Sequence, residues 1–400
     1  MAYKGGWRPG HQLDLLEGGA ALFPAMAQAI DRAHTLVHVE TYICTFSGQA
    51  AQVADALVRA AARGVEVRLL VDGVGTGNLP SVWAQRFDAA GVHHQVFAPL
   101  GRLGLLIPSR WRRLHRKLCV VDGHTGFCGG INLIDDQDDL ALGPLEAPRL
   151  DFAVQVRGPL VLDMQRQMEL LWWRVVAVGM ARRRSFRDAW DVLRGTWPLP
   201  RSVMPTVSRR GRTALLWRDN VRHRHDIERA YLRAIGTARQ ELVIANAYFI
   251  PGRRLRRALE HAVRRGVRVR LLLQGRYETF FQYHAARPVY AGLLKAGVEI
   301  HEYAPSALHA KVAVVDSRWA TVGSTNLDPL SLLLAREANV VSTDPVWAHQ
   351  LWQRLDHLLC TAGQRVDAAT YLARPWHQRV LDRVAFATMR VLLFLTGHRY

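Results

Sequence analysis

The chain has 400 residues, 49% hydrophobic and 22% charged. That excludes a disordered or low-complexity polymer and leaves room for two or three domains with full cores. Its formal net charge of +19 points to a polyanionic partner, whether nucleic acid, an anionic membrane or a phosphate-bearing substrate. Charge alone does not choose among the three.

The opening stretch, MAYKGGWRPGHQLDLL, lacks the apolar segment of a secretory signal. Next comes a strand, LVHVETYI, ending before Cys44. A helix follows in AAQVADALVRAAARG, apolar at the helical period and closed by a glycine. VEVRLLVDG is a strand of the buried type, and AAGVHHQVFAP a helix end and a further strand. The segment LHRKLCVVDGHTGFCGGIN then spans 114–132. LLWWRVVAVGM and, near the end, VAFATMRVLLFLTG are apolar but short, and Arg174 and Arg390 interrupt them. Neither reaches the roughly 20 residues of a spanning helix, so a soluble or peripheral protein is expected. The aromatic helix is read as core. Residues 182–213, rich in Arg, Pro and Ser, read as linker.

The order then returns. LVIANAYFIP (242–251), VRRGVRVRLLLQG (263–275), KAGVEIHEYAP (295–305) and LHAKVAVVDSRWATVGSTN (308–326) resemble the four first-half segments. Alternating strands and helices predict an α/β fold, a sheet covered on both faces. Two such halves predict two similar domains in a pseudo-two-fold relation, assigned to 1–200 and 201–370, with a basic amphipathic tail at 371–400. The halves differ before the last segment. Pro305 precedes His309 by four residues, whereas Pro99 precedes His115 by sixteen. The extra stretch mixes Leu103, Leu105, Leu106, Ile107 and Trp111 with arginines, as a surface for acyl chains or a packed loop would.

The repeated frame carries chemistry. His115 and His309 are 194 positions apart, as are Lys117 and Lys311, Asp122 and Asp316, Gly129 and Gly323, and Asn132 and Asn326. Alternation along a strand puts each His on the same face as its Lys. Each Asn follows a glycine turn whose backbone N–H groups can approach an anion. An imidazole, an ammonium and an amide on one surface make a phosphate site, and two such sites could set one histidine to attack and the other to protonate the leaving oxygen. Lysine is used only at Lys4, Lys117, Lys295 and Lys311. Arginine supplies the remaining cations, which marks the two frame positions as places for a compact ammonium. Asp122 and Asp316 complete the motif and stand with its His and Lys as candidate catalytic residues, although each follows a short apolar strand and reads as turn-forming. The cysteines Cys44, Cys119, Cys128 and Cys360 show no zinc or C-x-x-C spacing and are read as reduced thiols. His93, His94, His223, His225 and His284 are read as surface residues.

H-x-K-x-x-x-x-D followed by G-G/S-x-N, twice in one chain, resembles the phospholipase D superfamily, over nearly all of 10–365. Within it the chain is similar to the shorter bacterial cardiolipin synthases, which lack N-terminal membrane helices. The resemblance implies two domains, each a mixed sheet flanked by helices, sharing one active site. It implies transfer of a phosphatidyl group from phosphatidylglycerol through a phosphohistidine. By the same analogy His115 is the nucleophile and His309 the general acid. Lys117, Lys311, Asn132, Asn326 and Ser324 would hold phosphate oxygens, and Asp151 and Glu337 would orient the imidazoles. No metal or cofactor is implied. The implied partners are anionic phospholipids, phosphatidylglycerol and also phosphatidylethanolamine, at the cytoplasmic side of the inner membrane. Hydrolysis of phospholipid or of nucleic acid is the alternative activity, although one-frame nucleases that dimerise are the less similar pattern.

The tail, RPWHQRVLDRVAFATMRVLLFLTGHRY, places Arg379, Arg383 and Arg390 on one helical arc and Leu381, Val384, Val391, Leu392 and Leu395 on the other side. That pattern suits either an interfacial membrane helix or a helix packed on its own domain.

Overall fold

The computed structural model describes residues 6–101, 111–139, 143–182, 185, 188, 190, 211–219, 223–276 and 280–395. Leu103, Leu105, Leu106 and Ile107 lie outside the described residues, as does most of the linker stretch. Two compact units form: one takes Lys4–Asp135 and Ala153–Leu215, the other Asp136–Phe152 and Leu216–Tyr400. The segment Asp136–Phe152 therefore belongs with the second half of the chain, which a division at residue 200 does not separate.

In the first unit the elements are β1 (Gln12–Glu17), α1 (Gly18–Asp31), β2 (Leu36–Thr41), α2 (Ala51–Ala62), β3 (Glu66–Asp72), α3 (Ser81–Ala90), β4 (His93–Phe97), β5 (Lys117–Val121), β6 (Thr125–Gly129), β7 (Phe152–Arg157) and α4 (Leu160–Arg182). The sheet order is β1-β7-β6-β5-β2-β3-β4. Strands β2, β3 and β4 run parallel, because α2 and α3 carry the chain back between them. Strand β5 pairs antiparallel with β2, a tight turn returns it antiparallel to β6, and β7, which follows the Asp136–Phe152 excursion, pairs antiparallel with β6. Gly64, at φ +85°, ends α2 in the left-handed conformation that stops a helix sharply.

Both faces of this sheet are covered. On one, Val37, Val39, Val67, Leu69 and Cys119 pack with Leu22, Phe23, Met26, Val53 and Leu57 of α1 and α2. On the other, Leu70 and Leu114 pack with Leu171 and Trp172 of α4, so the aromatic helix is core as expected. Cys44, Cys119 and Cys128 are buried free thiols, and Cys360 is exposed.

The second unit repeats the plan with β8 (Thr213–Arg218), α5 (Asp226–Thr237), β9 (Glu241–Asn246), α6 (Arg253–Arg264), β10 (Arg268–Gln274), α7 (Phe280–Lys295), β11 (Glu299–Tyr303), β12 (Lys311–Val315), β13 (Trp319–Gly323), β14 (Ala335–Ser342), α8 (Pro345–Thr361), β15 (Gly363–Arg365) and α9 (Trp376–Leu395). Its strand path is β8-β14-β13-β12-β9-β10-β11-β15. Strands β9, β10 and β11 are again parallel, and β9, β12, β13 and β14 antiparallel. Trp347, Leu351, Leu355 and Leu358 of α8 are buried.

Each motif aspartate acts at the end of its strand. Asp122 accepts from the backbone N–H groups of His34, Thr35 and Leu36 at 2.9 Å each, and from the Thr35 hydroxyl. Asp316 accepts from those of Arg239, Gln240 and Glu241 at 2.8–2.9 Å. Both aspartates have φ near +50°. They therefore clamp the entrance of β2 and β9, which places them with structure rather than with the frame histidines. Burial pushes the Asp122 carboxyl up, but its hydrogen bonds outweigh this and hold it below the usual carboxylate range. A depressed carboxyl stabilises the fold above its unfolded value, near 4, and that stability is lost as pH falls below it. Asp122→Ala should lower the urea-derived stability by about 2 kcal/mol, flatten its acid-side pH dependence, and leave the turnover of the folded protein within a few fold. A thousandfold turnover loss at unchanged stability would return Asp122 to the chemistry.

Candidate active site

The second frame sits where a distant segment is zipped to it. The N–H of Leu150 donates to Ala307 at 2.9 Å, and the N–H of His309 donates to Leu150 at 2.8 Å. This pairing brings in Asp151, whose side chain is 1% exposed. Its Oδ2 lies 2.6 Å from His309 Nδ1 and 3.8 Å from Lys311 Nζ, and its Oδ1 accepts from its neighbour Phe152 N at 2.8 Å. A carboxylate on Nδ1 fixes the ring, leaves Nε2 as the reactive nitrogen, and stabilises the imidazolium when it forms. The Lys311 ammonium, itself buried, donates to the His309 carbonyl.

After β13 the glycine turn closes tightly. A Cβ on Gly323 would lie 2.3 Å from Asn339 Cγ, so no larger residue fits there. Ser324 gives its hydroxyl to the Glu337 carboxylate. The ionised carboxylate makes this a charge-assisted hydrogen bond. Thr325 Oγ1 donates to Asn339 Oδ1 at 2.7 Å. Asn326 is buried, and its Oδ1 has no hydrogen-bond partner among the described residues. Arg218 enters the same layer, donating to the Ala335 carbonyl. Burial pulls its guanidinium down to about 10, against the opposing pull of the Glu337 carboxylate. Nothing in the sequence marked Arg218, because β8 is one of several Arg-bearing strands.

In the first frame Lys117 Nζ donates to the His115 carbonyl at 2.7 Å. The Tyr42 ring centroid lies 4.9 Å from that of His115 and 5.4 Å from Lys117 Nζ. Burial, with the Asp72 carboxylate, raises the Tyr42 hydroxyl above its ordinary value, so it stays neutral. Asn132 Oδ1 accepts from Ile43 N at 3.2 Å. Asp72, fully buried, takes the N–H of Leu114 at 2.7 Å and those of Val74 and Gly75 at 2.8 and 3.0 Å. It also pairs with Arg113 at 3.1 Å, and so fixes the backbone immediately before His115. On the opposite face of β5, Arg116 and Glu40 form a buried ion pair, with Arg116 also donating to Gln167 of α4. Tyr42, Asp72 and Glu40 were visible as letters in two strands, but their partners are remote in sequence.

Each unit thus holds one His, one Lys and one Asn of the frame, His309 with a carboxylate and His115 against an aromatic ring. Among the described residues no group of three or more His, Cys, Asp or Glu is placed to hold a metal ion.

The chain matches the family described as "Cardiolipin synthase, PLD-like domain" over residues 26–138 and 231–359. It is 38% identical to cardiolipin synthase B of Escherichia coli K12, over 98% of this chain and 91% of that protein. It is 27% identical to cardiolipin synthase A of Cronobacter sakazakii, over 94% and 75%. Among solved structures, the phosphatidylserine synthase of Haemophilus influenzae Rd KW20 superposes with a TM-score of 0.68 at 13% identity, covering 95% of this chain and 93% of that one, a likeness of fold.

Asp151→Asn keeps the size of the side chain and removes its charge. Turnover of a phosphodiester substrate should fall by up to about 10⁴, the effect of removing the charge that holds a catalytic imidazole in its tautomer, with the loss in kcat rather than KM. An equal rise in KM at unchanged kcat would show that Asp151 serves binding instead.

Proposed function

Since the chain belongs to the cardiolipin synthase family, with its phospholipase D-like domains, we propose that it transfers a phosphatidyl group from one phosphatidylglycerol to another, forming cardiolipin and releasing glycerol. Phosphatidylethanolamine is a second candidate substrate. The carrying observation is the paired frame, with His309 on Asp151 at 2.6 Å and a buried lysine beside each histidine.

The proposed sequence has two displacements. His115 Nε2 attacks the phosphorus and the bond to the head-group glycerol breaks. The protonated His309 gives its proton to that leaving oxygen, and Asp151 stabilises the charged ring beforehand. A hydroxyl of a second phosphatidylglycerol then attacks the phosphohistidine, the P–N bond breaks, and His309 recovers the proton. Lys117, Lys311, Asn132 and Asn326 hold the non-bridging oxygens and offset the charge that develops on them. Water at the second step would give phosphatidic acid, so the outcome depends on keeping water from the intermediate. No helix among the described residues is long and apolar enough to cross a membrane; the proposed place of action is the lipid surface at the cytoplasmic face of the inner membrane.

On phosphatidylglycerol vesicles, with lipid and glycerol products resolved by mass spectrometry, cardiolipin and glycerol should appear in equal amounts. His115→Asn and His309→Asn should each lower the rate by at least about 10³, since groups that act as a unit fail together. Phosphatidic acid as the main product would replace transfer by hydrolysis. Because the ammonium groups carry the electrostatics, excess EDTA should leave the rate within twofold; complete loss restored by a divalent cation would contradict the mechanism.

A further inference from the structure

The helix α9 lies beyond the family match, which ends at residue 359. It is docked by a polar contact. Asp382, 3% exposed, lies 2.7 Å from His284 Nδ1 of α7 and 3.3 Å from Arg374. Ala385, one turn on, is buried beside it. His284, read from sequence as a surface residue, is thus a docking residue. The rest of the helix surface stays open. Among the described residues nine large hydrophobic side chains are exposed, and four of them, Trp376, Val380, Leu381 and Val384, stand on this one helix.

At 100° per residue, Trp376, Val380, Val384 and Leu381 span an arc of about 140°. Arg379 and Arg383, both exposed, flank that arc on its other edge, between it and the docked face. The one acidic residue of α9, Asp382, is buried against Arg374 and the His284 ring. The open side of the helix therefore presents hydrophobes and positive charge with no anion among them.

We propose that this face of α9 is the docking surface for an anionic bilayer. The Trp376–Val380–Val384–Leu381 arc enters the boundary between headgroups and acyl chains, and Arg379 and Arg383 meet lipid phosphates. The inference rests on the phospholipid reading of the active site and adds the element that brings the enzyme to its substrate. Charge decides the occupant. A second copy would bring a chain of net charge +19 against the same basic face, whereas an anionic lipid surface neutralises it.

The test uses the full chain and vesicles of phosphatidylglycerol with phosphatidylcholine, or phosphatidylcholine alone, scored by sedimentation. The intact protein should bind the anionic vesicles, more weakly as salt rises. Val380→Asp with Val384→Asp should reduce that binding at least about tenfold, with far-UV circular dichroism and turnover of dispersed short-chain phosphatidylglycerol within twofold of the parent. Arg379→Gln with Arg383→Gln should remove much of the salt dependence while keeping the fold. Unchanged vesicle binding by both variants would overturn the proposal, as would a dimer of the intact chain that the valine variant dissociates without loss of binding. Binding is read without turnover, so failure of the synthase reading, no lipid product from either substrate form, is told apart from failure of the docking surface.

Discussion

The carboxylates of Asp122 and Asp316 each gather three consecutive backbone N–H groups at the entrance of a neighbouring strand. An aspartate at the end of β5 or β12 thereby fixes where β2 or β9 begins, and so the register between the two strands. A slip of one residue would turn every side chain of a strand to the other face. With register set, His and Lys emerge together at the far end of the same strand, and the glycine turn returns the chain with Asn. The motif is therefore one mechanical unit: an anchor at one end of a strand and a reactive pair at the other.

Around this shared unit the halves have diverged. Leu118 and Val312 occupy the same place in their frames, and their strand partners are Glu40 and Ala245. Two residues on, the counterpart of Tyr42 is Ala247. Arg116, buried on Glu40, corresponds to Ala310. The first frame is thus backed by a buried ion pair and faced by an aromatic ring, while the second is backed by small apolar residues and served by Asp151.

Much of this was legible in the letters. The spacing of the frames, the alternating strands and helices, and the apolar helix in α4 follow from local pattern, and the fold matches them. The register of β2 against β9 did not follow. LVHVETYI and LVIANAYFIP align by eye on their tyrosines, yet the aspartate clamps pair Leu36 with Glu241 instead. Asp151 stood out as an acid after the first frame, but that it reaches His309 depends on Leu150 bridging to Leu308, a contact no local pattern encodes. The hydrogen bond of Ser324 to Glu337 joins two residues 13 positions apart across β13 and β14, which spacing alone does not show. The tail read as amphipathic; which side is docked was decided by Asp382, a single polar residue whose partner His284 lies 98 positions away.

The account stands on a covalent phosphohistidine in the first frame. The most direct measurement is peptide mass spectrometry of the parent enzyme, rapidly quenched during turnover of phosphatidylglycerol. The account predicts a phosphatidyl adduct on the peptide that contains His115, absent from His115→Asn. An adduct on His309 in otherwise active enzyme would reverse the roles, and the absence of any adduct on either histidine would contradict the account.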